Sequence, residues 1–215
     1  MADSLTTITQ KAQIARFASD RSAKLAPGRA GPSVAFISTF PPRECGLATF
    51  TDDLATGLRG LPQPSNVAVV AIDAEGEHHN YGSEVVARIE ELNPRSYVDA
   101  ARVLNRLPDV DIVCVQHDYG RFGVWREEFE EDYLLPMLEV LEKPVAVTMH
   151  TVTPHPNALM RRTVQGLGER AAAVVVMANI AKVLLQEDYG LDPAALAKVR
   201  QIPHGVPAGP RRRPS

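Results

Sequence analysis

The sequence has few cysteines and no long apolar run. Its two cysteines, Cys45 and Cys114, show neither a CxxC nor a Cys/His zinc spacing, and two residues do not make a disulfide framework. This scarcity is typical of a protein from a reducing cytoplasm, which is the location that we expect. No stretch approaches the ~18 consecutive apolar residues of a membrane span, and the N-terminus lacks the apolar core of a signal peptide. We therefore expect no membrane-spanning segment.

The chain also lacks an excess of positive charge. Lys and Arg number 23 against 26 Asp and Glu, which gives a formal net charge of -3 at pH 7. Binding to nucleic acid or to an anionic membrane needs a basic surplus, so neither partner is expected. What the chain has instead is apolar side chains, since 45% of its 215 residues are hydrophobic. That is enough for one sizeable core but not for two full domains of ~100 to 200 residues each.

Composition divides the chain into three segments. Residues 1–32 are mildly basic and end in Pro and Gly, which predicts a flexible leader. Residues 33–207 alternate short β-branched apolar runs with longer amphipathic segments, the pattern of successive βα units around a parallel sheet. Residues 208–215 carry three arginines without apolar periodicity, which predicts a basic, disordered tail.

The apolar runs predict seven strands, and runs nearly continuous in Val, Ile and Ala are typical of strands covered on both faces. The predicted strands are 34–38, 67–72, 85–89, 112–116, 145–149, 174–177 and 199–202. The predicted helices are 49–58, 95–107, 126–141, 157–170 and 180–189, with the acidic stretch 127–132 on an exposed helix face. Right-handed crossovers would make this an α/β fold with a single doubly wound, Rossmann-like parallel sheet.

Polar residues follow almost every predicted strand. Ligands of open parallel sheets bind beyond the carboxyl ends of the strands, so these residues are the candidates for chemistry. They include the loop 39–46, residues 73–75, the loop 117–120, the loop 150–155, Asn179 and residues 203–205.

The first of these loops is suited to an anion. Gly46 allows close approach of the backbone, and a helix beginning near Thr49, with Asp52 at capping-box spacing, would direct its first N–H groups at a phosphate or sugar oxygen. A single glycine is not the G-x-G-x-x-G fingerprint of a dinucleotide site, and no G-K-[ST] follows as in a P-loop. A plain glycine-capped helix start explains the loop equally well.

His150 ends the predicted strand 145–149 and would point into the crevice. A neutral imidazole there could hydrogen-bond a sugar hydroxyl or the leaving phosphate, or act as an acid or base. The alternative is a histidine bonded only to a neighbouring loop. Asp118 and the histidines of the other strand-end loops match no compact metal-binding motif, so we predict no metal. These histidines are His117, His155 and His204.

Four stretches in order resemble the N-terminal domain of bacterial family-four retaining glycosyltransferases, which have the GT-B fold. They read STFPPRECGLATFTDDL, VQHDYGRFG, PVAVTMHTV, and VVVMANIAKVLLQEDYGLD followed by KVRQIPHGVP, and together they span most of residues 33–207. The resemblance implies the acceptor-side half of a GT-B architecture, which faces a second domain that holds a nucleotide-activated sugar. It further implies hexosyl transfer to an acceptor glycan, polyol or lipid, without a cofactor or a metal.

The resemblance also assigns residues. His150 matches a histidine that contacts the transferred sugar and assists catalysis, and is the predicted catalytic residue. Gly46 would lie near the donor phosphates, and residues 203–206 match the hinge to the donor domain. The predicted substrate-binding residues are Arg43, Glu44, Cys45, Gly46, His117, Asp118, Tyr119, Thr151, His155, Asn179, His204 and Gly205.

The basic pair and the paired glutamates with which the family grips its donor belong to the second domain, and this sequence does not contain them. We therefore expect a truncated form that is inactive until a donor domain is supplied. The alternative is a non-catalytic module that binds a glycan or a phosphate. A flavodoxin-like or nucleotide-binding regulator is a third hypothesis, but the first strand lacks an acidic cluster and its loop lacks the required glycines.

Overall fold

The structure, a computed structural model, describes residues 31–126 and 129–205. These residues form an α/β fold with a parallel sheet of seven strands and a separate antiparallel hairpin of two strands. The strands are β1 (Val34–Ser38), β2 (Val67–Asp73), β3 (Val85–Glu90), β4 (Ile112–His117), β5 (Gly123–Arg126), β6 (Phe129–Asp132), β7 (Val145–Met149), β8 (Ala173–Val176) and β9 (Val199–Gln201). The helices are α1 (Gly46–Arg59), α2 (Pro94–Arg106), α3 (Leu134–Val140), α4 (Ala158–Arg170), α5 (Asn179–Glu187) and α6 (Pro193–Leu196).

The seven predicted strands are confirmed to within one residue at each end, and they pair in parallel. Every residue of β1, β4, β7 and β8 is buried. Their continuous β-branched runs suit a sheet whose two faces are both covered, which is why apolar residues do not alternate with polar ones.

The strand order is β3-β2-β1-β4-β7-β8-β9. The chain therefore moves outward from β1 through β2 to β3, and then returns to place β4 on the other side of β1. The direction of winding reverses between β1 and β4, and the loops that leave these two strands diverge. A crevice at such a switch point is where open parallel sheets bind ligands.

The sheet separates two layers of core, as a doubly wound fold requires. On one face, Leu54, Ala55 and Leu58 of α1 pack against Phe36 of β1 and Cys114 of β4. On the other face, buried residues of α2 to α6 pack against the alternate strand positions. Burying a leucine-sized side chain contributes about 1.5–3 kcal/mol, so these two layers stabilise the sheet. The polar residues that follow the carboxyl ends of its strands form an edge that we call the rim.

The predicted helix 126–141 is wrong. Residues 123–126 and 129–132 form the hairpin β5-β6, and only Leu134–Val140 is helical. Tyr133 is the N-cap of α3, and the preceding Asp132 satisfies one N–H of its first turn, because its Oδ1 accepts from Leu135 at 2.7 Å. The acidic stretch is therefore not a helix face: Glu130 and Glu131 are exposed strand residues, whereas residues 127 and 128 lie outside the described ranges.

One further helix begins earlier than predicted, and one helix was not predicted at all. α1 begins one turn earlier than predicted, because Cys45 rather than Thr49 is its N-cap and its sulfur accepts from the N–H of Ala48. The short helix α6 was not predicted, although Asp192 caps it by accepting from Ala195. Cys45 and Asp192 are not part of the apolar pattern from which the helices were predicted, so that pattern did not show where these two helices begin.

The predicted leader and tail fall almost wholly outside the described residues, which begin at residue 31 and end at residue 205. Among the described residues, no helix has both the length and the apolar character needed to cross a bilayer.

The hairpin gives a testable prediction at Gly123. Its φ is +133°, and a Cβ added there would overlap the carbonyl oxygen of Glu131. We expect Gly123→Ala to lower the free energy of unfolding by about 2–4 kcal/mol, measured by urea denaturation. Gly60→Ala is the matched control, because Gly60 has a φ of -85° and its added Cβ would lie 3.4 Å from the nearest atom. Equal urea midpoints for the two variants would contradict the hairpin.

Candidate functional site

His150 directly follows β7 and stands at the rim beside the switch point. Its Nε2 lies 2.9 Å from Oε1 of Gln116, a buried residue of β4. With the oxygen of the Gln116 amide toward the ring, Nε2 donates in this pair and Nδ1 is the acceptor. The backbone N–H of His150 donates to the carbonyl of His117 at 2.9 Å. These two contacts hold the ring in one orientation at the rim.

Two aromatic rings stand beside His150. Phe50 of α1 meets it edge to face with ring centroids 4.8 Å apart, and His204, which follows β9, lies 6.2 Å away. Phe50 also meets His204 edge to face at 5.3 Å. Residues from α1, β4, β7 and the segment after β9 therefore converge on one point of the rim. We call Phe50, Gln116, His150 and His204 the imidazole cluster.

Burial and, to a smaller extent, the neighbouring His204 lower the pKa of His150 to about 4, while Asp118 opposes the change. His150 is therefore neutral at pH 7 and a weak base. Of the roles that the sequence left open, a lowered pKa favours hydrogen bonding through Nδ1 over proton abstraction near neutral pH.

His117 is placed differently from the expectation for an acceptor-side loop. It is the last residue of β4, its side chain is fully buried, and neither ring nitrogen has a hydrogen-bond partner among the described residues. The ring stacks on Phe122 with centroids 5.6 Å apart. Burial lowers its pKa to about 4, so the structure holds His117 neutral beneath the rim.

Hydrogen bonds connect the loops that follow β4 and β7. Thr151 donates to Oδ1 of Asp118 at 2.6 Å. The hydroxyls of Tyr119 and Tyr189 lie 2.9 Å apart, and Thr153 lies 3.4 Å from the second of them. These bonds join Asp118 to Thr151, and Tyr119 to Tyr189 near the end of α5.

The loop after β1 positions Cys45 at the start of α1. Its sulfur lies 3.1 Å from the hydroxyl of Thr39 and accepts from Ala48 at 3.4 Å. Burial raises the pKa of the thiol, but these hydrogen bonds and the charge of Arg43 outweigh it, so the pKa lies below its usual range. Gly46 is exposed, and a Cβ there would meet nothing within 4 Å. The first turn of α1 therefore opens onto free space, as an anion or sugar would require.

Arg43 points away from the imidazole cluster, toward β2 and β3. Its Nη1 donates to the carbonyl of Ile72 at 3.0 Å, and its Nη2 donates to Oε2 of Glu91 at 3.4 Å. Arg121, from the loop after β4, lies 3.5 Å from the other oxygen of Glu91. The two arginines and Glu91 form a second polar group at the rim, which we call the Arg–Glu–Arg group.

The remaining predicted site residues belong to neither group. Glu44 is exposed in the first loop, and Asn179 is the exposed first residue of α5. His155 has a φ of 54° and its backbone N–H donates to Asp188 at 2.8 Å. Gly205, in the segment after β9, is half-buried.

The sequence reasoning missed Gln116, Phe50, Glu91 and Arg121. Gln116 carried a usable signal, since it is a polar residue near the end of an apolar run. Phe50 and Glu91 carried none, because a phenylalanine on a helix and a glutamate at a strand end are ordinary in this fold. Only the packing of α1 and the order of the strands brings them to the rim.

Within the described ranges, no group of three or more His, Cys, Asp or Glu side chains is arranged to hold a metal ion.

Comparison with known proteins gives a likeness in structure alone. No protein-family model matches the chain, and no curated protein matches it. The fold is similar to the crystal structure of a glycosyltransferase from Rickettsia africae ESF-5, with 19% sequence identity and a TM-score of 0.49. The superposition covers 81% of this chain and 44% of that protein, so the chain spans less than half of the other's length.

The two buried imidazoles predict a loss of stability in acid. The pKa of His117 and of His150 is about 4 in the folded chain, against ~6.5 when unfolded. Above about pH 6.5 neither state binds the proton. Below it the unfolded chain takes up protons that the folded chain refuses, so the free energy of unfolding falls until about pH 4. Each histidine contributes on the order of 3 kcal/mol to this loss.

Urea denaturation at a series of pH values measures this effect. His150→Asn keeps a hydrogen-bonding group but removes one of the two titrations, so its free energy of unfolding is expected to fall less steeply than that of the wild type over the same interval. Parallel curves for the two proteins would show that His150 is not held neutral.

Proposed function

We propose that this chain is the acceptor-side half of a retaining glycosyltransferase of GT-B architecture. In this role it transfers a hexosyl group from a nucleotide sugar to a hydroxyl of an acceptor glycan, polyol or lipid. The observation that carries the proposal is the imidazole cluster, in which an oriented, neutral His150 stands at the carboxyl edge of a parallel sheet. The order of the four sequence stretches that resemble the family supports the same assignment.

The chemistry required of this half is positioning and hydrogen bonding. With Nε2 bonded to Gln116, the free lone pair of Nδ1 can accept a hydrogen bond from a hydroxyl of the transferred sugar. Retention is expected to follow from attack on the face from which the nucleoside diphosphate leaves, with the leaving phosphate taking the proton of the acceptor hydroxyl. His150 is a weak base at pH 7, so it does not compete for that proton.

Stabilisation of the leaving phosphate is shared between two domains in this proposal. The exposed Gly46 at the first turn of α1 would let a phosphate approach the positive end of the helix dipole. The remaining phosphate and sugar contacts belong to a donor-binding domain on the same polypeptide or on another. The chain is therefore expected to transfer sugar only when that domain is present.

Substitution of His150 tests the proposal. In the chain joined to or mixed with a donor domain, His150→Ala is expected to lower kcat about a hundredfold, because it removes a hydrogen bond that strengthens in the transition state. The measurement is the rate at which each nucleotide sugar releases its nucleoside diphosphate as product forms. His78→Ala is the matched control: His78 is an exposed histidine that belongs to neither rim group.

The outcome also separates the two functions that the sequence left open. Binding of acceptor by calorimetry, without sugar transfer in any combination with a donor domain, would replace the transferase with a non-catalytic module. Transfer at the wild-type rate by His150→Ala would remove His150 from the reaction.

Gln116 is a positioning residue, and its substitution gives a separate prediction. Gln116→Leu keeps the buried volume but releases Nε2 of His150. We expect kcat to fall about tenfold, with little change in KM for the acceptor, because orientation is lost while the acceptor contacts remain. Gln116→Glu retains an acceptor for Nε2 and is expected to recover part of the loss. A KM effect without a kcat effect would show that Gln116 only supports the structure.

A further inference from the structure

A cavity at the rim lies on the side of the switch point away from β9. It has a volume of about 340 Å³ and is lined by residues of the loops after β1, β2, β3 and β4, and by the start of the hairpin. Arg43, Glu91 and Arg121 supply its principal polar groups. Asp118, which is bonded to Thr151 beside His150, lies on the same loop as Arg121. The cavity and the imidazole cluster thus share the loop after β4.

Glu91 organises the polar wall of this cavity. Only 12% of its side chain is exposed, and its two carboxylate oxygens lie 3.4 Å from Arg43 and 3.5 Å from Arg121. The fully buried Tyr97 has its hydroxyl 2.8 Å from the backbone carbonyl of Glu91 and 3.1 Å from that of Arg121. The hydroxyl of Tyr97 therefore fixes the backbones of Glu91 and Arg121 before any ligand binds. This lowers the entropy lost on binding.

The guanidinium groups retain hydrogen-bonding capacity. The side chain of Arg121 is 34% exposed, and among the described residues its only hydrogen-bond partner is Glu91. Arg43 is 12% exposed and is held by the carbonyl of Ile72 as well as by Glu91. A guanidinium has more N–H donors than these contacts use. The cavity wall therefore offers donors from Arg121 next to the acceptor oxygens of Glu91.

The charges around the cavity are balanced. Arg43 and Arg121 are paired with Glu91, and Glu77 approaches Arg43 to 3.8 Å. Glu75 also lines the cavity. An anionic ligand would meet Glu91 between the two arginines and would gain little. A hydroxyl, in contrast, both donates and accepts, so adjacent hydroxyls can bind a carboxylate and a guanidinium at once.

The size and lining of the cavity narrow the ligand further. Its volume is at the lower end of the ~300–1,000 Å³ that is usual for small-molecule sites. Ala74, Leu92 and Val124 supply its apolar lining between the charged groups, so a ligand with apolar C–H faces and several hydroxyls matches it. A molecule the size of one sugar ring fits these constraints.

We propose that this cavity is a subsite for a neutral polyhydroxylated molecule of monosaccharide size, held through adjacent hydroxyls by Arg121 and Glu91, with Arg43 supporting the carboxylate. The inference rests on the proposed function, because it names the acceptor as a sugar or polyol rather than a lipid or an anion.

Direct binding to the full chain tests this subsite without sugar transfer. The neutral probes are D-glucose, D-mannose, D-mannitol and myo-inositol, and the comparison probes are a mannose phosphate, glucuronate and inorganic phosphate. Calorimetry and ligand-observed NMR are expected to show that at least one neutral probe binds and that the anions bind at least about tenfold more weakly.

Arg121→Ala and Glu91→Gln are each expected to weaken binding of the neutral probe about tenfold or more, since each removes a charged hydrogen-bond partner. Arg102→Ala is the matched control, because Arg102 is an exposed arginine paired with Asp99 on α2. Thermal unfolding of each variant shows that it is folded. Arg121 is the half-exposed member of the group, so its substitution keeps the test valid if Glu91→Gln fails to fold.

Three results would overturn the subsite: no binding of any neutral probe, tighter binding of an anion, or equal binding by wild type and Arg121→Ala.

Failure of the subsite can be distinguished from failure of the proposed function. If His150→Ala transfers sugar normally but Arg121→Ala loses the polyol, the subsite stands and the catalytic assignment fails. If the wild type transfers sugar and Arg121→Ala leaves the acceptor KM unchanged, the subsite fails and the transferase stands.

Discussion

The architecture depends on burying both faces of one parallel sheet. Parallel strands cannot be joined by tight turns, so every connection must cross a face and each strand must end at the same edge. Here the connections after β1 and after β3 run in opposite directions along the sheet. That reversal leaves α1 on one face and the later helices on the other, and it leaves a gap between the loops after β1 and β4. The polar rim exists because helices cover both faces of the sheet, whereas no helix covers the carboxyl ends of its strands.

The rim divides into two chemically different regions. The imidazole cluster is formed by rings and one amide, and the carboxylate of Asp118 only partly opposes the low pKa of His150. The Arg–Glu–Arg group is charged but balanced, and a buried tyrosine fixes its backbone. The first region suits hydrogen bonding to a group whose charge changes during a reaction. The second suits hydroxyls whose number and spacing must be recognised. The shared loop after β4 is a direct physical link between them.

Placing neutral histidines at this edge has a cost in stability that the apolar layers offset. His117 is the extreme case, because its ring is buried against Phe122 without a partner for either nitrogen among the described residues. A phenylalanine would fill the same volume without the desolvation of two polar atoms. His150 keeps one hydrogen bond, to Gln116, and is therefore the better placed of the two to serve a ligand.

The sequence by itself determined the seven strands, because continuous runs of β-branched residues have one favourable environment, the interior of a covered sheet. It also placed His150 and Asp118 at strand ends and Cys45 in the loop after the first strand, since chain order alone decides which residues follow a strand. It did not determine the hairpin: the residues around Asp132 have helical spacing, but residues 123–126 and 129–132 pair as antiparallel strands, and Gly123 has a φ of +133°. Nor did it pair Gln116 with His150 or Glu91 with Arg121. Those pairs lie 34 and 30 residues apart in the chain. Only the order of the strands, which is decided by packing across the whole sheet, brings them into contact.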